Sequence, residues 1–171
     1  MMNVSNWNEV IRLKRETIFL RLAVLVIAIP IIAICVFALP FIWRQTAENG
    51  GWVEASIHPI IIGMYVAVVP FLIALYQAIR LLGLIDRDEA FSYASVRSLR
   101  FIKYCALCIT VVYIATLPFF YQFAERDDAP GFMVIGLILV FASFVIAVFA
   151  ELLQKLLKRA IDLKQENDLT V

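Results

Sequence analysis

Four runs of this chain hold no Asp, Glu, Lys or Arg, and charged stretches separate them. They extend from Leu22 to Trp43, Ala55 to Ile79, Tyr104 to Ala124 and Ala129 to Ala150. About 20 apolar residues in a helix cross the roughly 30 Å of hydrocarbon in a bilayer. The pattern predicts an all-α, four-transmembrane-helix bundle. Residues 1–171 form a single membrane domain with spans at 22–43, 55–79, 104–124 and 129–150. A loop over 80–103 and a tail over 151–171 complete it, with short interfacial or cytoplasmic helical extensions.

Composition sharpens this picture. Of 171 residues, 63% are hydrophobic and 17% charged. A soluble domain carries about 45–50% apolar and about 25% charged residues. No room is left for a separate soluble domain. The net charge of +1 conceals an asymmetry. Arg12, Lys14, Arg15 and Arg21 precede the first span, and Arg80, Arg87, Arg97, Arg100 and Lys103 fill the middle loop. Lys155, Lys158, Arg159 and Lys164 follow the last span. The other side holds only Arg44 and Arg126. Positive-inside bias places both termini and the middle loop in the cytoplasm, N-in and C-in. The first span is too long for a cleaved signal peptide and lacks a clean cleavage site, so it is expected to stay as an anchor.

Local signals fill in the connections. Trp7, Val10, Ile11 and Leu13 alternate with Arg12, Lys14 and Arg15. That suits an amphipathic helix among the headgroups, or a solvated extension of the first span. Trp43 and Trp52 bracket the first outer loop, where indoles favour the interface. Asp128 is positioned to N-cap the last span, with Pro130 in its first turn. Ser92 is positioned to cap a helix running into the third span. Pro30, Pro40, Pro70 and Pro118 break backbone hydrogen bonds within spans, as packing features or hinges. Gly63, Phe71, Ile73 and Ala74 align without gaps onto Gly136, Phe144, Ile146 and Ala147, a weak sign of two related hairpins.

Small residues share one face of the second span (Gly63, Ala67, Pro70, Ala74) and one face of the fourth (Gly136, Ser143, Ala147, Ala150). Small faces let helix backbones approach closely in lipid. These two faces are expected to form the bundle's inner seam or a homodimer contact.

Candidate chemistry is sparse. Ionisable groups inside a span mark ion pathways and proton relays, and none of these spans has one between its ends apart from His58 at an outer margin. This argues against an ion-driven transporter and against a zinc or di-iron enzyme, and nothing calls for a cofactor. Cys105 and Cys108 lie one helical turn apart. They read as a thiol pair or as small apolar filler, the second fitting the lack of a further cysteine pair. Cys35 stands alone, and a disulfide framework is not expected near a reducing face. Glu125, Asp127, Asp128 and His58, with Glu48 and Glu54, form a candidate outer-face ligand site for a divalent cation or a cationic peptide. Loop solubility and capping explain the same acids. Arg97, Arg100 and Lys103 recur every third residue as a candidate surface for anionic headgroups or an acidic partner, or as ordinary snorkelling side chains. The end of the chain, Asp168, Leu169, Thr170 and Val171, is a second candidate partner-binding element.

Several stretches resemble the YoaS-like family of small bacterial membrane proteins: Ala74 to Ala78, Ile85-Asp86, Ala90 to Ser92, Ile102 to Cys105, Asp127 to Gly131, Ala160 to Lys164, and Glu166 to Val171. The acidic turn at Asp127–Gly131 and the closing Glu166–Val171 are the most specific. The resemblance implies four spans in a bacterial plasma (inner) membrane and no agreed activity, so it transfers no functional residues. Members are often encoded beside a small Cro-type helix-turn-helix regulator. The resemblance therefore implies a non-enzymatic sensor or sequestration partner of such a regulator, without direct nucleic-acid binding. The other readings are an immunity protein against a membrane-active toxin, and a small transporter or channel subunit with a cavity lined by Tyr65, Tyr76, Gln77, Thr110, Tyr113 and Thr116.

Overall fold

A computed structural model describes residues 22, 24–49, 51–85 and 91–169. The amphipathic segment predicted over 1–21 and the polar turn at 86–89 lie outside the described residues. Four helices are long and apolar enough to cross a membrane. Helix α1 covers Val24–Glu48. Helices α2 (Gly51–Ile85), α3 (Tyr93–Arg126) and α4 (Pro130–Leu169) follow. Only 17% to 28% of each apolar window is buried. Phe37, Phe141 and Val111 stand among the outward-facing side chains, at 76%, 70% and 65% exposure. Such a surface is stable only with hydrocarbon as its solvent.

Helices α2, α3 and α4 hold 35, 34 and 40 residues. At about 1.5 Å per residue each runs at least about 51 Å, well past the bilayer core. The excess lies at the basic end. The connection between α2 and α3 therefore narrows to residues 86–92, where the charge pattern had put a loop over 80–103. Charge marks where hydrocarbon stops, whereas helices continue as long as they have something to pack on. Ser92 does cap α3, accepting a hydrogen bond from the Ser95 N–H at 3.4 Å. Thr110 faces Ser143 across the α3–α4 contact, and this antiparallel register sets Ile161 level with Ser92. Ser95, Ser98, Val96, Leu99 and Ile161 are all buried there, so the helical packing continues past the charge-free runs at the basic end.

Helix α3 is the hub. The dominant packing is α3 against α4 and α3 against α2. The small faces of α2 and α4, expected in the bundle's inner seam or at a dimer contact, each dock on α3. A Cβ on Gly63 would overlap the Thr116 methyl group, and one on Gly136 would come to 3.0 Å from Phe120 and 3.3 Å from Leu117. Ala67, Ser143, Ala147 and Ala150 are buried on the same faces, and Ala74 is half-buried. Glycine at these two positions brings backbones close, which is the main source of helix association in lipid.

Helix α1 is held by fewer contacts, chiefly to α2. A π-helical turn spans Ile34–Ala38, closed by the Leu39 N–H on the Ile34 carbonyl. Pro40 causes it, because it has no N–H to donate. The Leu39 N–H being used on Ile34, the Cys35 carbonyl lacks a donor from its own helix. Tyr65 of α2 supplies one, its hydroxyl donating to the Cys35 carbonyl at 3.0 Å.

The turns at the end opposite the basic one are tight. Gly51 starts α2 at φ +71°, a conformation that costs glycine little. Asp128 sits at φ 50°, with the Asp127 N–H on the Phe123 carbonyl and the Ala129 N–H on the Ala124 carbonyl. This closes α3 in a Schellman motif with Asp128 at its left-handed position. Asp128 therefore ends α3, and Ala129 directly precedes Pro130 at the start of α4. This corrects the expected N-cap at Asp128, and the reason is that a short polar side chain tolerates left-handed backbone.

The two glycine contacts differ in how they can relax. Thr116 is β-branched and stiff, and its hydroxyl is tied to the Tyr113 carbonyl at 3.0 Å, whereas the Phe120 ring can tilt. Gly63→Ala should cost about 1–3 kcal/mol from overpacking, and Gly136→Ala clearly less. Thermal unfolding of the two variants in detergent checks the order.

Candidate functional site

At the end opposite the basic one, α1 and α2 meet through stacked rings. The Trp43 indole and the His58 imidazole lie 3.8 Å apart and 5° from parallel. His58 Nε2 is 3.3 Å from the Thr46 hydroxyl, and Nδ1 is 3.6 Å from Glu54 one turn earlier on α2. The buried Thr46 hydroxyl also reaches the Ile42 and Trp43 carbonyls at 2.9 and 3.0 Å. Both imidazole nitrogens thus have neighbours, and the ring clamps α1 to α2. A second aromatic group ties α2, α3 and α4: Trp52 against Phe123, Phe123 and Phe120 against Phe132, and Arg126 over the Trp52 ring at 6.0 Å.

His58 therefore has Trp43, Thr46 and Glu54 as its partners. Glu125, Asp127 and Asp128 are exposed around the α3–α4 turn. Among the described residues, no three His, Cys, Asp or Glu side chains are gathered to hold a metal ion.

At the basic end, Arg97 and Arg100 are exposed and Lys103 is half-buried. Arg97 lies over the Phe101 ring at 6.0 Å, and Lys103 over the Tyr104 ring at 5.0 Å. Both contacts are local, and they leave the charges at the surface. Lys155 binds Glu151 at 2.8 Å. That hydrogen bond, with the positive charges of Lys155 and Lys103, holds the Glu151 carboxyl below the usual carboxylate range. Helix α4 continues to Leu169, with Leu152, Leu153, Leu156 and Leu163 exposed at 50–66% among Lys155, Lys158, Arg159 and Lys164. The side chains of Asp168, Leu169, Thr170 and Val171 lie outside the described residues.

Polar groups in the interior mostly serve the helices. The Thr110 hydroxyl donates to the Ser143 hydroxyl at 2.9 Å, which in turn reaches the Leu139 carbonyl at 2.9 Å. Such interhelical bonds in lipid are worth about 0.6 kcal/mol on average. Tyr65 and Thr116 are bonded to backbone carbonyls as described above, and Tyr76 is 66% exposed. Gln77 is buried with its side-chain oxygen unpartnered. Cys105 is buried, Cys108 exposed and Cys35 intermediate, and all three are free thiols. Sequence reasoning missed the Trp43–His58–Thr46 clamp and the Tyr65–Cys35 bond. Both join residues on different spans, and only the excess of aromatic residues near Pro40 and Trp43 hinted at them.

A family model described as a protein of unknown function, DUF2975, matches residues 42–171. The uncharacterized membrane protein YoaS of Bacillus subtilis (strain 168) is 52% identical over 158 residues, which covers 92% of this chain and 99% of that protein. No solved structure matches.

Asp128 was expected both as a cap and as an outer-face ligand, and its backbone separates the two. In its turn role, Asp128→Gly keeps or slightly raises thermal stability, while Asp128→Val lowers it by about 1–2 kcal/mol because a branched residue resists φ > 0. Unfolding of both variants in detergent reads this directly.

Proposed function

This chain belongs to the DUF2975 family of membrane proteins of unknown function, and we propose that it is a non-enzymatic sensor that holds a cytoplasmic helix-turn-helix regulator at the bacterial inner membrane. One observation carries the reading. Helix α4 runs to Leu169, 19 residues past Ala150, or about 28 Å beyond the hydrocarbon edge. Its outward face mixes exposed leucines with Lys155, Lys158, Arg159 and Lys164. Leu156 lies about 9 Å and Leu163 about 20 Å past that edge, and lipid chains do not account for the exposure of Leu163 there. A basic and apolar helix of this kind suits an amphipathic partner surface with acidic margins.

In this reading the thirteen basic residues at the termini and middle connection face the cytoplasm. The partner meets Arg97, Arg100 and Lys103 together with the end of the chain from Asp168 to Val171. The outer turns with Glu125, Asp127, Asp128 and His58 take up an envelope signal. Helix α3 passes it on, because it contacts both α2 and α4 along its length. Signal transfer requires that the ligand favour one of two packings. The buried Gln77 of α2 and Ser98 of α3, each with an unpartnered side-chain oxygen, are polar groups that another packing of the helices can satisfy.

Two measurements test the proposal. Reporter fusions at residue 171 and in the 125–128 turn give cytoplasmic and extracytoplasmic signals respectively. Removal of residues 165–171, or Leu156→Glu with Leu163→Glu, releases the neighbouring regulator from isolated membranes while the protein stays at wild-type level. Undiminished recovery of the regulator with both variants rejects the docking helix.

A further inference from the structure

A cavity of about 330 Å³ opens between the four helices, walled by Ile34 and Cys35 of α1, Ala67 of α2, Tyr113 of α3, and Ala142 and Ile146 of α4 among others. That is the size of a small-molecule site, about 300–1,000 Å³. Ile34, Cys35, Ala67, Tyr113 and Ala142 lie near the middle of their spans and Ile146 nearer the basic end, so the cavity sits near the bilayer midplane. The lining is apolar apart from a few side chains. Ile34 and Ile146 line the cavity and are also 49% and 53% exposed, and Ala142 is exposed as well. The wall between α1 and α4 is therefore open to hydrocarbon. It is open because α1 packs chiefly on α2, held by the Trp43–His58 clamp and the Tyr65–Cys35 bond.

We propose that this cavity binds a lipid-soluble carbonyl compound of the quinone class, which enters sideways from the bilayer between α1 and α4. Access decides the first half of the assignment, since whatever reaches the midplane through that gap must dissolve in hydrocarbon. Tyr113 decides the second. The half-buried Tyr113 lines the cavity, its hydroxyl has no hydrogen-bond partner among the described residues, and hydrocarbon offers none. The other hydroxyls nearby, Ser143 and Thr110, bond to each other and to backbone. A phenol donor in an apolar pocket selects a ligand with an acceptor at the same depth. An acyl chain has none there, because ester carbonyls remain at the interface. A quinone ring carries its carbonyls into the hydrocarbon, and its apolar tail fits the open side.

The inference goes beyond the regulator contact, giving the sensor a ligand from within the membrane. Its test uses purified full-length protein alone in lipid nanodiscs, so its failure leaves the regulator contact untouched. Binding of a decyl-substituted benzoquinone is compared with that of decylbenzene, in the wild type, Tyr113→Phe and Ala142→Phe. The expected result is saturable quinone binding, weakened about five- to tenfold by Tyr113→Phe, as loss of one hydrogen bond implies. Ala142→Phe, which fills the gap from an exposed position, abolishes it. Decylbenzene binds more weakly and ignores Tyr113→Phe. Equal binding of both compounds with no effect of Tyr113→Phe shows a space for acyl chains and overturns the proposal. Absence of saturable quinone binding overturns it as well.

Discussion

Hydrocarbon gives a membrane helix no reward for burying apolar side chains, so this bundle depends on how closely the backbones of α2 and α4 approach α3. Gly63 against Thr116 and Gly136 against Phe120 and Leu117 set those distances. Ala67, Ala147 and Ala150 continue the contacts along the same faces, and the Thr110–Ser143 bond fixes the register between α3 and α4. The remaining structure follows from this arrangement. Two helices docked on a third leave the first span to find its own attachments, and among the described residues these include the Trp43–His58 stack, the Thr46–His58 contact and the tyrosine bond at the π-helical turn.

This uneven attachment shapes what the molecule can do. The α2–α3–α4 unit stays packed past the charge-free runs, with Val96, Leu99 and Ile161 buried, and ends in a basic helix with exposed leucines. The opposite end is closed by tight turns and aromatic contacts. Between them lies a cavity that exists because α1 does not seal against α4. No reacting constellation is seen among the described residues, and the polar side chains that penetrate the membrane are mostly spent on holding helices. The uneven attachment leaves three distinct surfaces: the basic end, the turns opposite it, and the cavity between.

The chain's charge pattern showed the four spans directly, because the cost of placing charge in hydrocarbon is large and local. It did not show where helices stop. Arg80 looked like a loop residue, yet it is helical, since helix ends are decided by packing partners and caps, whereas Arg97, Arg100 and Lys103 lie on the helix that Ser92 was expected to cap. The Ser92 cap was legible because capping is local. Asp128 was misread as the start of α4 because an acidic residue before Pro130 suits either a cap or a left-handed C-terminal turn, and only the backbone tells them apart. The small faces of α2 and α4 were legible as faces, but a sequence names no neighbour for a face. The partners of His58 and of the Cys35 carbonyl come from other spans for the same reason.

The central claim is that α2 and α4 dock on α3 and not on each other. In a background with Cys35, Cys105 and Cys108 replaced by Ala, paired cysteines in native membranes test it. Thr110→Cys with Ser143→Cys joins α3 to α4 at a contact of 2.9 Å between side-chain oxygens and should form a disulfide on mild oxidation. Ala74→Cys with Ala147→Cys probes the two small faces directly and should stay reduced. Crosslinking of the second pair without the first would contradict the hub, and would make α2 and α4 each other's neighbours instead.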